Sequence, residues 1–265
     1  MSRGAERWAD LRLRVISGAV LILLGAIATF EGGPFFRSAV VVAFAAMIWE
    51  LAGMTAPPPA TGRLGLALLA ALCLVALMAL VPPPAGLALL VLPSLGLLAT
   101  PRRDRALIAG YALVLMLSAA AFLALRQQGA LVFLWLVLVV VASDMLGYFA
   151  GRLLGGPKFW PAISPKKTWS GTLAGWAGAL LIGLGFVLAG AADGSLLVFS
   201  PLVAFAGQMG DILESWIKRR AGVKDASDLI PGHGGVLDRF DALTGAVLAV
   251  VAISWVIPMP FGLAG

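Results

Sequence analysis

Residues 129–150, GALVFLWLVLVVVASDMLGYFA, form one apolar run of about the length that crosses a bilayer, closed by a serine, an aspartate and a glycine-tyrosine pair. In lipid such a run can satisfy its own backbone hydrogen bonds only as a helix. Similar runs recur on both sides of it. Between polar or Pro/Gly-rich breaks, about nine candidate helices can be placed, near residues 15–32, 38–55, 64–82, 85–100, 106–125, 129–150, 171–191, 195–216 and 242–262. The fourth is the shortest and holds Pro93, so a kinked or re-entrant segment is expected there.

Composition agrees with this reading. At 61% hydrophobic residues and a mean hydropathy of +1.00, the chain has too little polar surface to coat a soluble particle. The expected fold class is all-α, a polytopic integral membrane protein of about nine transmembrane helices forming a single membrane domain over residues 1–265. Residues 1–128 supply N-terminal helices, and 129–265 form a half with two polar loops. The first apolar run leads into Glu31-Gly32-Gly33-Pro34 rather than a small-residue cleavage site, so it reads as a retained helix. Cys73 is the only cysteine and lies in an apolar run, which makes it a packing residue and excludes an intrachain disulfide.

The net charge of +6 and isoelectric point near 10.1 could point to nucleic acid, but the positions of the basic residues argue against it. If the N-terminus is cytoplasmic, that side collects all of the 19 Lys and Arg residues except Arg37 and Arg126. The excess is explained by topology and by anionic lipid head groups. Arg3, Arg7, Arg12 and Arg14, interleaved with Trp8, Leu11 and Leu13, resemble an interfacial amphipathic start. Pro57-Pro58-Pro59 and Pro82-Pro83-Pro84 read as stiff loop corners.

Four acidic residues fall within or at the ends of the expected spans: Glu50, Asp144, Asp211 and Glu214. A charge at mid-bilayer costs roughly 2.5–3.5 kcal/mol, so each needs a partner or a wet cavity. Asp211, Glu214, Ser215 and Lys218 follow at i, i+3, i+4 and i+7 and therefore share one helical stripe. Asp238 and Asp241 are again three apart at the start of the next helix. Carboxylates from adjacent helices suit a hard divalent cation such as Mg2+, and equally could pair with Lys218, Arg219 and Arg239. Between them, Pro231-Gly232-His233-Gly234-Gly235 can bring backbone N–H groups close to an anion. His233 could serve phosphate or simply the loop.

A second polar loop runs from Asp144 to Gly171. Asp144, Gly147, Tyr148 and Gly151 share a face, which could serve close helix packing. Ser164-Pro165-Lys166-Lys167-Thr168 before a helix combines two lysines and two hydroxyls in a cradle suited to a triphosphate, with plain flanking charge as the simpler account.

These residues carry a resemblance to the phosphatidate cytidylyltransferases, also called CDP-diacylglycerol synthases. The family signature reads approximately S-x-x-K-R-x4-K-D-x-x-D-x-x-P-G-H-G-G-x-x-D-R-x-D. Ser215, Lys218, Arg219, Lys224, Asp225, Asp228, Pro231 to Gly235, Asp238, Arg239 and Asp241 match it in order. Asp144, Tyr148, Gly151, Arg152 and Ser164 to Thr168 resemble the family's second stretch. Ser170 departs from it, standing where many relatives have glutamate.

The resemblance implies transfer of the cytidylyl group of CTP to phosphatidate, giving CDP-diacylglycerol and pyrophosphate for phospholipid synthesis. It implies catalytic roles for Lys218, Arg219, Asp211 and Asp238. Ser164, Lys166, Lys167, Thr168, Ser215, Lys224, His233 and Arg239 would bind substrate. Mg2+ would sit on Asp211 and Asp238 with Asp241 and Asp144 beside them, and a second cation could share the site. The expected partners are CTP, phosphatidate and membrane lipids, with no nucleic acid. A homodimer would be compatible with such an enzyme, although the sequence holds no specific interface motif. The expected location is a bacterial inner membrane with the site facing the cytoplasm. A transporter with intramembrane carboxylates and a CTP-using lipid kinase stand as the other readings.

Overall fold

A computed structural model describes residues 3–57, 62–79 and 85–261, with side chains from residue 15 onward. The corners expected at Pro58-Pro59 and Pro82-Pro84, and the side chains of Arg3 to Arg14, lie outside the described residues. The chain divides into two compact units, Met1–Ala120 with Arg220–Arg239, and Ala121–Arg219 with Phe240–Gly265.

The first unit contains α1 (Arg3–Glu31), α2 (Gly33–Thr55), α3 (Arg63–Ala79), α4 (Ala85–Ala88), α5 (Leu92–Ala99) and most of α6 (Arg105–Gln127). On α2, Phe44, Met47, Ile48 and Leu51 repeat at helical spacing and are fully enclosed, as are Ala70 and Leu74 of α3. The outward faces are no less apolar: Val42 is 69% exposed and Leu72 is 66%. A helix apolar on both its packed and its open face suits lipid as its solvent. In the segment where a kink or re-entrant turn is expected, a 3-10 turn at Leu89–Val91 separates α4 from α5, and Pro93 falls in the first turn of α5, where its missing N–H costs nothing. At the other end of α2, Arg102 donates to Ala52 O (3.3 Å) and Thr55 Oγ1 (2.7 Å), serving the carbonyl end of the helix.

The second unit contains the end of α6, then α7 (Ala130–Leu153), a hairpin of β1 (Lys158–Trp160) and β2 (Ser164–Thr168), α8 (Trp169–Leu188), α9 (Leu196–Ala221) and most of α10 (Leu237–Ser254). α7 and α9 run further than hydropathy suggests, so Arg152 and Lys218 are helical residues. Gly155 (φ 61°) and Gly156 (φ 103°) stop α7 in a conformation that side chains resist, and the antiparallel hairpin follows. That hairpin lies in a segment the sequence reads as loop.

Small residues set the helix spacing here. A Cβ added at Gly171 would come within 2.6 Å of Gly147 O, and one at Gly175 within 2.7 Å of Ser143 Oγ. α7 and α8 therefore meet backbone to backbone along Gly147, Gly171 and Gly175, the usual means of helix association without a hydrophobic drive. Trp135 is fully buried and donates from Nε1 to Ser200 Oγ at 2.9 Å.

Among the described residues, α2, α6, α7, α8 and α9 are long and apolar enough to cross a membrane. The protein is an all-α membrane protein. Val15–Glu31, Arg63–Ala79 and Ala85–Ala99 are shorter apolar helices, and α10 carries Asp238, Arg239 and Asp241 near its start. The total of nine spans stays an expectation of the sequence.

Candidate active site

In the second unit, α9 and α10 touch through bare backbone. A Cβ at Gly207 would stand 3.1 Å from Ala242 O, one at Gly210 would strike Asp241 O, and one at Gly245 would strike Ala206 O. This approach brings the acids together. Asp211, Glu214 and Asp241 can each direct one carboxylate oxygen into a space where all three lie within 4.8 Å of one another. Asp211 and Asp241 are partly exposed, whereas Glu214 is fully enclosed. The donor set is all oxygen, which suits a hard divalent cation and not a thiolate- or imidazole-preferring metal.

Two ammonium groups attend these acids. Lys167 Nζ, delivered by β2, lies 2.6 Å from Asp211 Oδ2 and donates to Gln208 O at 3.1 Å. Lys218, one turn below Glu214, pairs with it at 2.7 Å and is itself buried. Ser215 Oγ donates to Asp211 Oδ1 at 3.3 Å. Asp144, on α7, lies within electrostatic reach of both Asp211 and Lys167.

Gln208 organises this region without having been expected there. Its Nε2 donates to Ser143 Oγ (3.2 Å) and Thr172 O (3.4 Å), and its Oε1 accepts from Trp176 Nε1 (3.1 Å). One signal was available: a glutamine three residues before Asp211, in an otherwise apolar helix, lies on the acidic stripe. Glu214 lies on the same stripe and joins the cluster, although the resemblance supplied no metal role for it.

The hairpin separates the Ser-Pro-Lys-Lys-Thr residues by function. Thr168 is buried and caps α8, accepting from Gly171 N at 3.2 Å. Ser170 donates to Gly155 O and shares a hydrogen bond with Thr168 Oγ1. Ser170 thus ties the turn after α7 to the start of α8. Lys166 is exposed and Ser164 partly so. Tyr148 and Arg152 pair with each other at 2.7 Å.

In the first unit, the glycine-rich loop folds as a tight turn. His233 N donates to Ile230 O at 2.9 Å across Pro231-Gly232, and Gly232 has φ 75°, the pattern of a type II turn. Ser17 Oγ contacts Pro231 O (2.9 Å) and His233 Nδ1 (2.8 Å). Arg239 Nε donates to His233 O at 3.0 Å. Asp238 Oδ2 accepts from Gly235 N (2.7 Å) and Ala226 N (3.0 Å). Lys224, Asp225 and Asp228 are exposed. Of the expected site residues, Asp144, Lys167, Asp211, Ser215, Lys218 and Asp241 thus gather with Glu214 in the second unit, where Arg219 is an exposed residue of α9. Lys224, His233, Asp238 and Arg239 belong to the first.

Over 114 residues the chain is 48% identical to the phosphatidate cytidylyltransferase of Brucella abortus (strain 2308), a match covering 42% of each protein. Against the phosphatidate cytidylyltransferase of Helicobacter pylori (strain ATCC 700392 / 26695) it is 42% identical over 137 residues, 51% of each. The chain thus spans about half or less of those relatives. A phosphatidate cytidylyltransferase of Pseudomonas aeruginosa is 35% identical over 269 residues, 92% of this chain and 97% of the relative. The family model for the cytidylyltransferase family matches residues 12–257. The chain belongs to the cytidylyltransferase family.

Proposed function

We propose that the protein transfers the cytidylyl group of CTP to phosphatidate, releasing pyrophosphate and leaving CDP-diacylglycerol in the membrane. The observation that carries this reading is the gathering of Asp211, Glu214 and Asp241 beside Lys167 and Lys218, in a chain similar along nearly its full length to a phosphatidate cytidylyltransferase.

A phosphate oxygen of phosphatidate attacks the α-phosphorus of CTP, a new P–O bond forms, and the bond to the bridging oxygen of the leaving pyrophosphate breaks. The attacking oxygen is already ionised, so no dedicated base is required. The obstacle is the approach of two polyanions, which positioning and opposite charge overcome. Lys167 and Lys218, with Lys166 and Arg219, supply cationic groups for triphosphate oxygens, and Ser215 and Ser164 supply hydroxyl donors. Thr168 holds the end of this segment through its cap. Asp211, Glu214 and Asp241 are suited to hold Mg2+, with Asp144 near enough to add its charge and a second cation able to share the site. Bound there, Mg2+ would contribute positive charge to the phosphates. Asp238 already commits Oδ2 to two loop amides, so any ligation by it falls to Oδ1. Lys224, His233 and Arg239 are the groups of the glycine-rich loop assigned to substrate.

The Lys/Arg-rich side of the chain faces the cytoplasm in this reading, where CTP is found, and bacterial relatives favour the inner membrane as its location. Purified protein in detergent, given phosphatidate, Mg2+ and CTP labelled in cytidine, should carry label into the organic phase with matching release of pyrophosphate. Label that stays aqueous while the terminal phosphate of CTP reaches lipid would instead establish a kinase.

A further inference from the structure

Glu50 lies five residues before the end of α2 and is 1% exposed, an ionisable side chain enclosed within an apolar helix. Its partners all come from the glycine-rich segment. Oε1 accepts from Ser227 Oγ (2.6 Å) and Val236 N (2.9 Å), and Oε2 accepts from Leu237 N (2.7 Å). Ser227 Oγ in turn accepts from Leu229 N at 3.1 Å. Three donors converging on one carboxylate form the arrangement that offsets the cost of enclosing its charge.

Two of those donors are orphan N–H groups at the start of α10, which begins at Leu237. A capping carboxylate normally belongs to the helix it caps or to the residue just before it. Here one comes from α2, some 186 residues earlier in the chain, and it also favours the positive end of the helix dipole. The local half of the cap is Asp238, whose Oδ2 takes Gly235 N and Ala226 N. The loop is therefore gripped by two carboxylates, one from outside and one from within.

Gly235 gives an independent sign of the same contact. Its φ is not in the left-handed region, so backbone conformation does not demand glycine, yet an added Cβ would lie 2.6 Å from Glu50 Oε1 and 2.9 Å from its Cδ. Space for the Glu50 carboxylate accounts for the missing side chain.

We infer that Glu50 is a positioning residue for the glycine-rich loop, holding the turn that carries His233 and the start of α10 that carries Arg239 in the form that receives the nucleotide. The nucleotide part rests on the function proposed above; the grip on the loop does not.

The test compares wild type with Glu50→Gln, Gly235→Ala and the double variant Glu50→Asp/Gly235→Ala in detergent. Glutamine keeps the size of glutamate but turns a donor toward Leu237 N. The Val236 and Leu237 amides should then exchange with deuterium roughly tenfold faster or more, with α7 and α8 unchanged. In the transfer assay, Glu50→Gln should raise KM for CTP by about fivefold or more. A merely structural loss would shrink the active fraction, lowering apparent kcat at constant KM. Shortening the carboxylate makes room for a Cβ, so the double variant should be more active than Gly235→Ala alone.

Wild-type exchange and KM in Glu50→Gln would overturn the inference. If Glu50→Gln does not insert, equal activity in Gly235→Ala and the double variant overturns it. If wild type transfers no label, the function is wrong while the exchange measurement still decides the role of Glu50.

Discussion

Carboxylates do opposite work in the two units. Glu50 and Asp238 of the first receive backbone N–H groups, partners fixed by the fold, and the outcome is a shaped loop. Asp211, Glu214 and Asp241 of the second converge on one another and on two lysine ammonium groups. Like charges brought this close are costly unless a cation answers them. The partner, more than the acid itself or its depth in an apolar helix, separates an architectural carboxylate from a chemical one.

The largest effect that would test this contrast is expected at Asp211. Asp211→Asn keeps the shape and removes the charge, and should lower cytidylyl transfer by about 100-fold or more while the protein still purifies as a single species. Near wild-type transfer would remove the chemical role from the second unit. Next comes dependence on the cation itself. Asp241→Asn should raise the Mg2+ concentration for half-maximal activity roughly tenfold, whereas Glu50→Gln should leave it within about twofold. Equal shifts in the two variants would erase the distinction.

A smaller loss is expected at the α9–α10 contact, where Gly245→Ala pushes a methyl onto Ala206 O. It should cost about 1–3 kcal/mol in thermal or denaturant unfolding, as overpacking does, with activity falling alongside. The smallest effect belongs to a surface pair of the first unit. Asp104 accepts from Arg220 Nε and Nη2, both at 2.9 Å, and these bonds hold its carboxyl below the usual range. A depressed carboxyl stabilises the fold above its unfolded pKa of about 3.9 and loses that effect as pH falls through its lower folded value. Asp104→Asn should therefore lower Tm by about 2 °C or less near neutral pH, and the difference should vanish in acid.

Much of the candidate site was legible before any coordinates. The spacing of Asp211, Glu214, Ser215 and Lys218 placed them on one stripe because helical period is a local property. The membrane class followed from apolar runs for the same reason. What could not be read was long-range partnership. Glu50 stood out as an acid in an apolar helix, but nothing local revealed that its ligands come from residues 227–237. Asp238 shares its spacing with Asp241, but nothing local revealed that its Oδ2 takes the loop amides of Ala226 and Gly235. The hairpin was missed because Ser164 to Thr168 is rich in proline and lysine and shows no strand alternation. Thr168 could have been read as a helix cap from its place before Trp169, had the cradle reading not claimed it.

The bare contact between α9 and α10 bears on how the protein responds to its membrane. With Gly207, Gly210 and Gly245 leaving nothing between the two backbones, the gap between Asp211 and Asp241 is set by main-chain contact, which has no rotamers to relax. A bilayer that thickens or thins as its acyl chains change will tilt helices to match. A pair locked at its backbones tilts together, so the acid spacing should survive shifts in the lipid composition around it.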